Sequence, residues 1–111
     1  MARMTRDAST PHGFSWQATQ ERLGDGRMLI RVSGHCEQPR LPVDVSLGRA
    51  EPQPHNQHIL LLTFTAERLD ESAAGGADRI AVEFEETGVR AYKLVSIEPG
   101  GIGIAVQTIA E

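Results

Sequence analysis

The chain has 111 residues, 40% of them hydrophobic, and a net charge of −4, which fits one domain with its own core and argues against a general polyanion binder. Its single cysteine excludes an internal disulfide, and no run approaches the roughly 20 apolar residues that a membrane-spanning helix needs. The charge is uneven: residues 1–49 carry seven Arg against five acids, a net of +2, whereas residues 50–111 carry four basic and ten acidic residues, a net of −6.

Residues 1–12 read as a flexible polar arm, followed by a single β domain over 13–111. Arg3 and Arg6 are not followed by an apolar stretch, so no secretory signal is predicted and the expected location is cytoplasmic. The first predicted strand is Phe14 to Arg22, with Phe14, Trp16 and Ala18 on one face. Gly24-Asp25-Gly26 is a turn, because Asp-Gly tolerates the positive φ of a tight hairpin. The second strand, Arg27 to Glu37, alternates Met28, Ile30, Val32 and Cys36 with Arg27, Arg31, Ser33 and His35.

Pro39 and Pro42 break the pattern, since each removes a backbone donor. A third strand carries Val43, Val45 and Leu47. Residues 51–57, with Pro52 and Pro54, form an exposed loop. His58 to Thr65 is the fourth strand, apolar on both faces from Ile59 to Leu62, as in a strand covered on both sides. Helix formers over 66–74 predict a short helix there. Ile80, Val82 and Phe84 alternate with Glu83 and Glu85, and Glu86-Thr87-Gly88 predicts a tight hairpin that sets Val82 opposite Tyr92. Glu98-Pro99-Gly100-Gly101 has the Pro-Gly signature of a turn, and Ile102, Ile104 and Val106 mark the last strand.

Seven short strands punctuated by turns predict an all-β fold, an antiparallel sandwich of immunoglobulin-like architecture, with a small β-barrel as the alternative.

The chemistry-bearing residues are sparse. His55 and His58 stand three apart, and His35 and Cys36 are adjacent, so this set is the candidate metal site for zinc or copper. Adjacent strand residues point to opposite faces, so only one of His35 and Cys36 can join it. Cys36 shares a face with Met28, Ile30 and Val32, which marks it as a core residue rather than a nucleophile. Glu83, Glu85, Glu86 and Asp78 lack the spacing of a calcium loop and read as a solvated face. Gly100-Gly101-Ile102-Gly103 lies between strands, so no helix N-terminus awaits a phosphate.

An interaction surface is the reading these residues favour. Strands four, six and seven carry more apolar residues than one small core needs, and Leu60, Leu62, Ile97, Ile102 and Ile104 are the candidate patch. Arg27, Arg31 and His35 offer a secondary polar face for an anionic group. The expected function is therefore a non-catalytic protein–protein interaction or assembly module, a homodimer or the partner of another protein, with no cofactor, nucleic acid or membrane. The first alternative is a small metal-binding protein using His55 and His58 with His35 or Cys36. The second is a small enzyme with its active site at an oligomer interface.

Overall fold

A computed structural model describes residues 11–37, 43–68 and 79–109. Pro11–Gly13 forms a 3-10 turn, and seven strands follow: β1 (Ser15–Arg22), β2 (Met28–Glu37), β3 (Val43–Arg49), β4 (Ile59–Arg68), β5 (Arg79–Gly88), β6 (Leu94–Glu98) and β7 (Ile102–Ile109). Pro11 and His12, assigned by sequence to the arm, belong to this turn. Pro11 is buried, and its carbonyl accepts from Trp16 Nε1 at 2.9 Å.

All seven strands join one sheet, in the order β3-β4-β6-β7-β1-β2-β5. The sheet curls until its two edge strands, β3 and β5, lie side by side, so the protein is a nearly closed barrel. Odd-numbered strands run one way and even-numbered strands the other. As a result β1 with β7 and β4 with β6 are parallel neighbours, and the remaining four pairings are antiparallel. The two edge strands β3 and β5 also run the same way, so the seam between them is parallel too. A sheet that nearly closes on itself buries one face of every strand, which is how the described residues form a core without an α-helix packed against it.

The alternation expected of β1 and β2 is present. Ala18, Met28, Ile30, Val32 and Cys36 are buried inside, joined by Leu60, Leu62 and Phe64 from β4 and by Val95 and Ile97 from β6. At the lower end, Phe14 stacks on Trp16 with ring centroids 5.4 Å apart, and Phe64 meets both rings edge-on. The β1–β2 turn forms as predicted, with Gly26 at φ 87 and Asp25 Oδ1 accepting from the Arg27 N–H.

Two sequence expectations fail. Residues 66–68 continue β4 rather than starting a helix, because Ala66 faces the core in register with Val45; the rest of 66–74 lies outside the described residues. The hairpin at Glu86-Thr87-Gly88 does not form. Those residues end β5, which pairs with β2 over its whole length, placing Arg31 opposite Glu85 and Glu37 opposite Arg79. Residues 89–93 instead cross the upper end of the barrel from β5 to β6, and Tyr92 is buried there at 6% exposure. Among the described residues no helix is long and apolar enough to cross a membrane.

Candidate functional site

The upper end of the barrel, where the odd-numbered strands finish, brings together the loop 50–58, the strap 89–93 and the ends of β1, β3, β5 and β7. Tyr92 plugs this end and is held from two sides. Gln20, buried on β1, accepts from the Tyr92 N–H at 2.9 Å and donates through Nε2 to the Tyr92 carbonyl at 2.8 Å. The same Nε2 reaches Thr108 Oγ1 of β7 at 3.0 Å. A primary amide fits here because it offers a donor and an acceptor side by side, the complement of a backbone N–H and C=O. On the other side Arg49 Nη1 of β3 lies 3.5 Å from the Tyr92 hydroxyl and 2.7 Å from Glu86 Oε2 of β5. The shorter contact is the stronger one, and it ties β3 to β5 where no backbone ladder joins them among the described residues.

The strap divides the upper opening into two cavities. The smaller, about 250 Å³, is lined by Met28, Ile30, Arg49, Glu86 and Arg90. The larger, about 500 Å³, lies on the β1–β7 side, with Gln57, His58, Arg90, Lys93, Val106 and Thr108 in its wall. Val89 borders both and is 87% exposed.

The sequence-derived candidates are dispersed. His55 and His58 are exposed in the loop at the upper end, whereas Cys36 is fully buried near the lower end of β2 and His35 points outward beside it. The fold does not bring the four together, and among the described residues no cluster of three or more His, Cys, Asp or Glu could hold a metal ion. Leu60, Leu62 and Ile97 are wholly inside the barrel, so they form core and not an interface. Ile102 and Ile104 are half-buried and pack against that core.

The polar face of Arg27, Arg31 and His35 already contains its own carboxylates. Arg31 Nε meets Glu85 at 2.6 Å, and Glu37 lies between His35 at 3.8 Å and Arg79 at 3.5 Å. The hydrogen bond and charge of Glu85 hold the Arg31 guanidinium above its ordinary range. A raised basic group loses its stabilising contribution only on strongly alkaline titration, so the titration of Arg31 adds no pH dependence near neutrality. The acidic set also divides: Glu83 and Glu85 face outward, Glu86 faces the barrel mouth, and Asp78 lies outside the described residues.

Sequence reasoning missed Gln20, Tyr92 and Arg49. A glutamine on the apolar face of a strand, in phase with Ala18, was the available signal for the first. The other two carry no local pattern, because their roles depend on the strap crossing the barrel.

The seam gives a first prediction. Glu86→Gln removes a pair whose side chains are about one-third exposed, so the loss is about 0.5–1 kcal/mol in urea unfolding at low ionic strength. The difference from wild type shrinks in about 1 M NaCl, where screening is nearly complete. A loss unaffected by salt would remove the ion pair as its cause.

The fold and its open end define a class, a small mixed β-barrel with a strap across one mouth. Comparison with protein-family models, with curated proteins and with solved structures finds no match to this chain.

Proposed function

We propose that this chain is a non-catalytic assembly module that pairs with a second copy of itself through the upper end of the barrel. One observation carries the reading: the two large hydrophobic residues left exposed among the described residues, Val89 and Ile109, both sit at this end. Apolar side chains gathered on one surface mark contact with another surface. The same end carries exposed charges of both signs, Arg90 and Lys93 alongside Asp25 and Glu51. A two-fold contact needs such a surface, because each patch must complement itself.

Light scattering on a size-exclusion column tests the pairing. The wild-type chain is expected at twice its 12.1 kDa mass, and Val89→Asp at the mass of one chain. Because Val89 is largely exposed, the substitution leaves the core intact, and thermal unfolding falls only by the concentration-dependent stabilisation that pairing supplies. A wild-type protein that elutes as a monomer overturns the reading.

A further inference from the structure

We infer that the larger upper cavity is a binding site for a small organic oxyanion, a carboxylate or a phosphate ester. The inference goes beyond self-pairing; Val89, Arg90 and Lys93 belong to both surfaces, so a bound anion and a second copy compete for them.

The cavity has a one-sided charge. Arg90 and Lys93 line it with His58, and no Asp or Glu stands in its wall. Three arginines elsewhere on the strands meet carboxylates, Arg31 with Glu85, Arg49 with Glu86 and Arg79 with Glu37, whereas Arg22 at the end of β1 makes no such pair among the described residues. Arg90 and Lys93 have no ion-pair partner among the described residues. In a chain with 15 acidic and 11 basic residues, two neighbouring cations without a carboxylate form a local positive field against an acidic background. A concave surface lined by one sign of charge focuses such a field and raises the local concentration of anions.

The neutral groups complete the donor set. Thr108 Oγ1 already accepts from Gln20 Nε2, so its own O–H is available to donate to a ligand oxygen. The Gln57 amide adds two further donors. Arg90 supplies the planar fork that matches carboxylate and phosphate geometry, and Lys93 supplies a point charge. Val89 and Val106 give an apolar surface for an organic body, and about 500 Å³ is a volume typical of small-molecule sites.

The wall is fixed in place before any ligand arrives. Gln20 clamps Tyr92, the Lys93 N–H donates to the His58 carbonyl at 2.8 Å, and the Val106 N–H donates to the Lys93 carbonyl at 3.0 Å. These bonds hold the strap against both the loop 50–58 and β7. Binding then orders only the exposed Arg90 and Lys93 side chains, which lowers its entropic cost.

Titration of the 15N-labelled chain with phenyl phosphate, phenylacetate and the uncharged benzyl alcohol tests the site. Saturable shifts are expected at the Ala91, Lys93 and Thr108 amides with at least one oxyanion and not with benzyl alcohol. The tighter of the two oxyanions identifies the ligand class. The double variant Arg90→Ala/Lys93→Ala weakens binding about tenfold or more, the range for charged hydrogen bonds. Arg79→Ala, at the opposite end, leaves binding unchanged. Absence of saturation with both anions, equal binding of benzyl alcohol, or undiminished binding by the double variant each overturns the assignment. Mass from light scattering is read with and without each anion: a monomer with saturable shifts overturns only the self-pairing, and a monomer without them overturns the site as well.

Discussion

Gln20→Leu is expected to lower the stability of the barrel by about 3 kcal/mol, although leucine fills a similar volume. The substitution deletes three hydrogen bonds, two to the Tyr92 backbone and one to Thr108. Its larger effect is to leave the Tyr92 N–H and C=O buried and unpaired, at about 1–3 kcal/mol for each such group. For a domain of this size that corresponds to a fall in Tm of roughly 10–20 °C. Hydrogen exchange locates the cause: the Tyr92 amide, protected in the wild type, should exchange much faster while those of β2 and β5 slow or speed only with global stability. A Tm within about 2 °C of wild type would show that water or a shifted strap replaces the amide.

Gly34→Ala is expected to cost about 1–3 kcal/mol, an unusually large effect for one methyl group on a strand. A Cβ built on Gly34 meets the Trp16 ring at 2.5 Å, with Cε3 and Cζ3 the atoms in conflict. Gly34 is opposite Trp16 in the β1–β2 ladder, so the indole lies flat across the space where a side chain would stand. The ring cannot yield cheaply, because it stacks on Phe14 and donates to the Pro11 carbonyl. Displacing it should blunt the near-UV circular dichroism of the single tryptophan as well as lower Tm. In a Trp16→Leu background the same glycine substitution should cost far less, since the conflicting ring is gone. Equal costs in both backgrounds would exclude the ring as the cause.

The legible parts of this fold are local. The β1–β2 hairpin follows from Asp25-Gly26, and the β6–β7 hairpin from Pro99-Gly100-Gly101, where both glycines adopt positive φ. The inward faces of β1 and β2 follow from the two-residue period. The failed hairpin at Glu86-Thr87-Gly88 shows the boundary of that reasoning. Turn-forming residues mark where a strand can end, not which strand it pairs with. β5 pairs with β2, some fifty residues away, through a backbone ladder whose inner face carries Ile80, Val82 and Phe84, and the outer pair Arg31 with Glu85 only follows that register. Both residues are visible in the sequence, but nothing local sets their register. The strand β4 misled in a different way. Its apolar outer residues Ile59 and Leu61 suggested a strand buried on both faces, yet they stay half-exposed.

The candidate site was less legible than the fold. The histidines and Cys36 drew notice as ligand types, and the barrel separates them. Arg90 and Lys93 gave no motif, and their significance comes from the absence of acids around one cavity, a property of surfaces that only folding creates.

The sequence by itself determined an all-β domain of seven strands, with the inward faces of β1 and β2, because alternation and turn chemistry act over a few residues. Only the tertiary structure decided the sheet order, the parallel neighbours, the near-closure of the barrel and the strap across its mouth. Those depend on pairings between residues far apart in the chain, where many registers satisfy the same pattern and the packing of the whole core selects one.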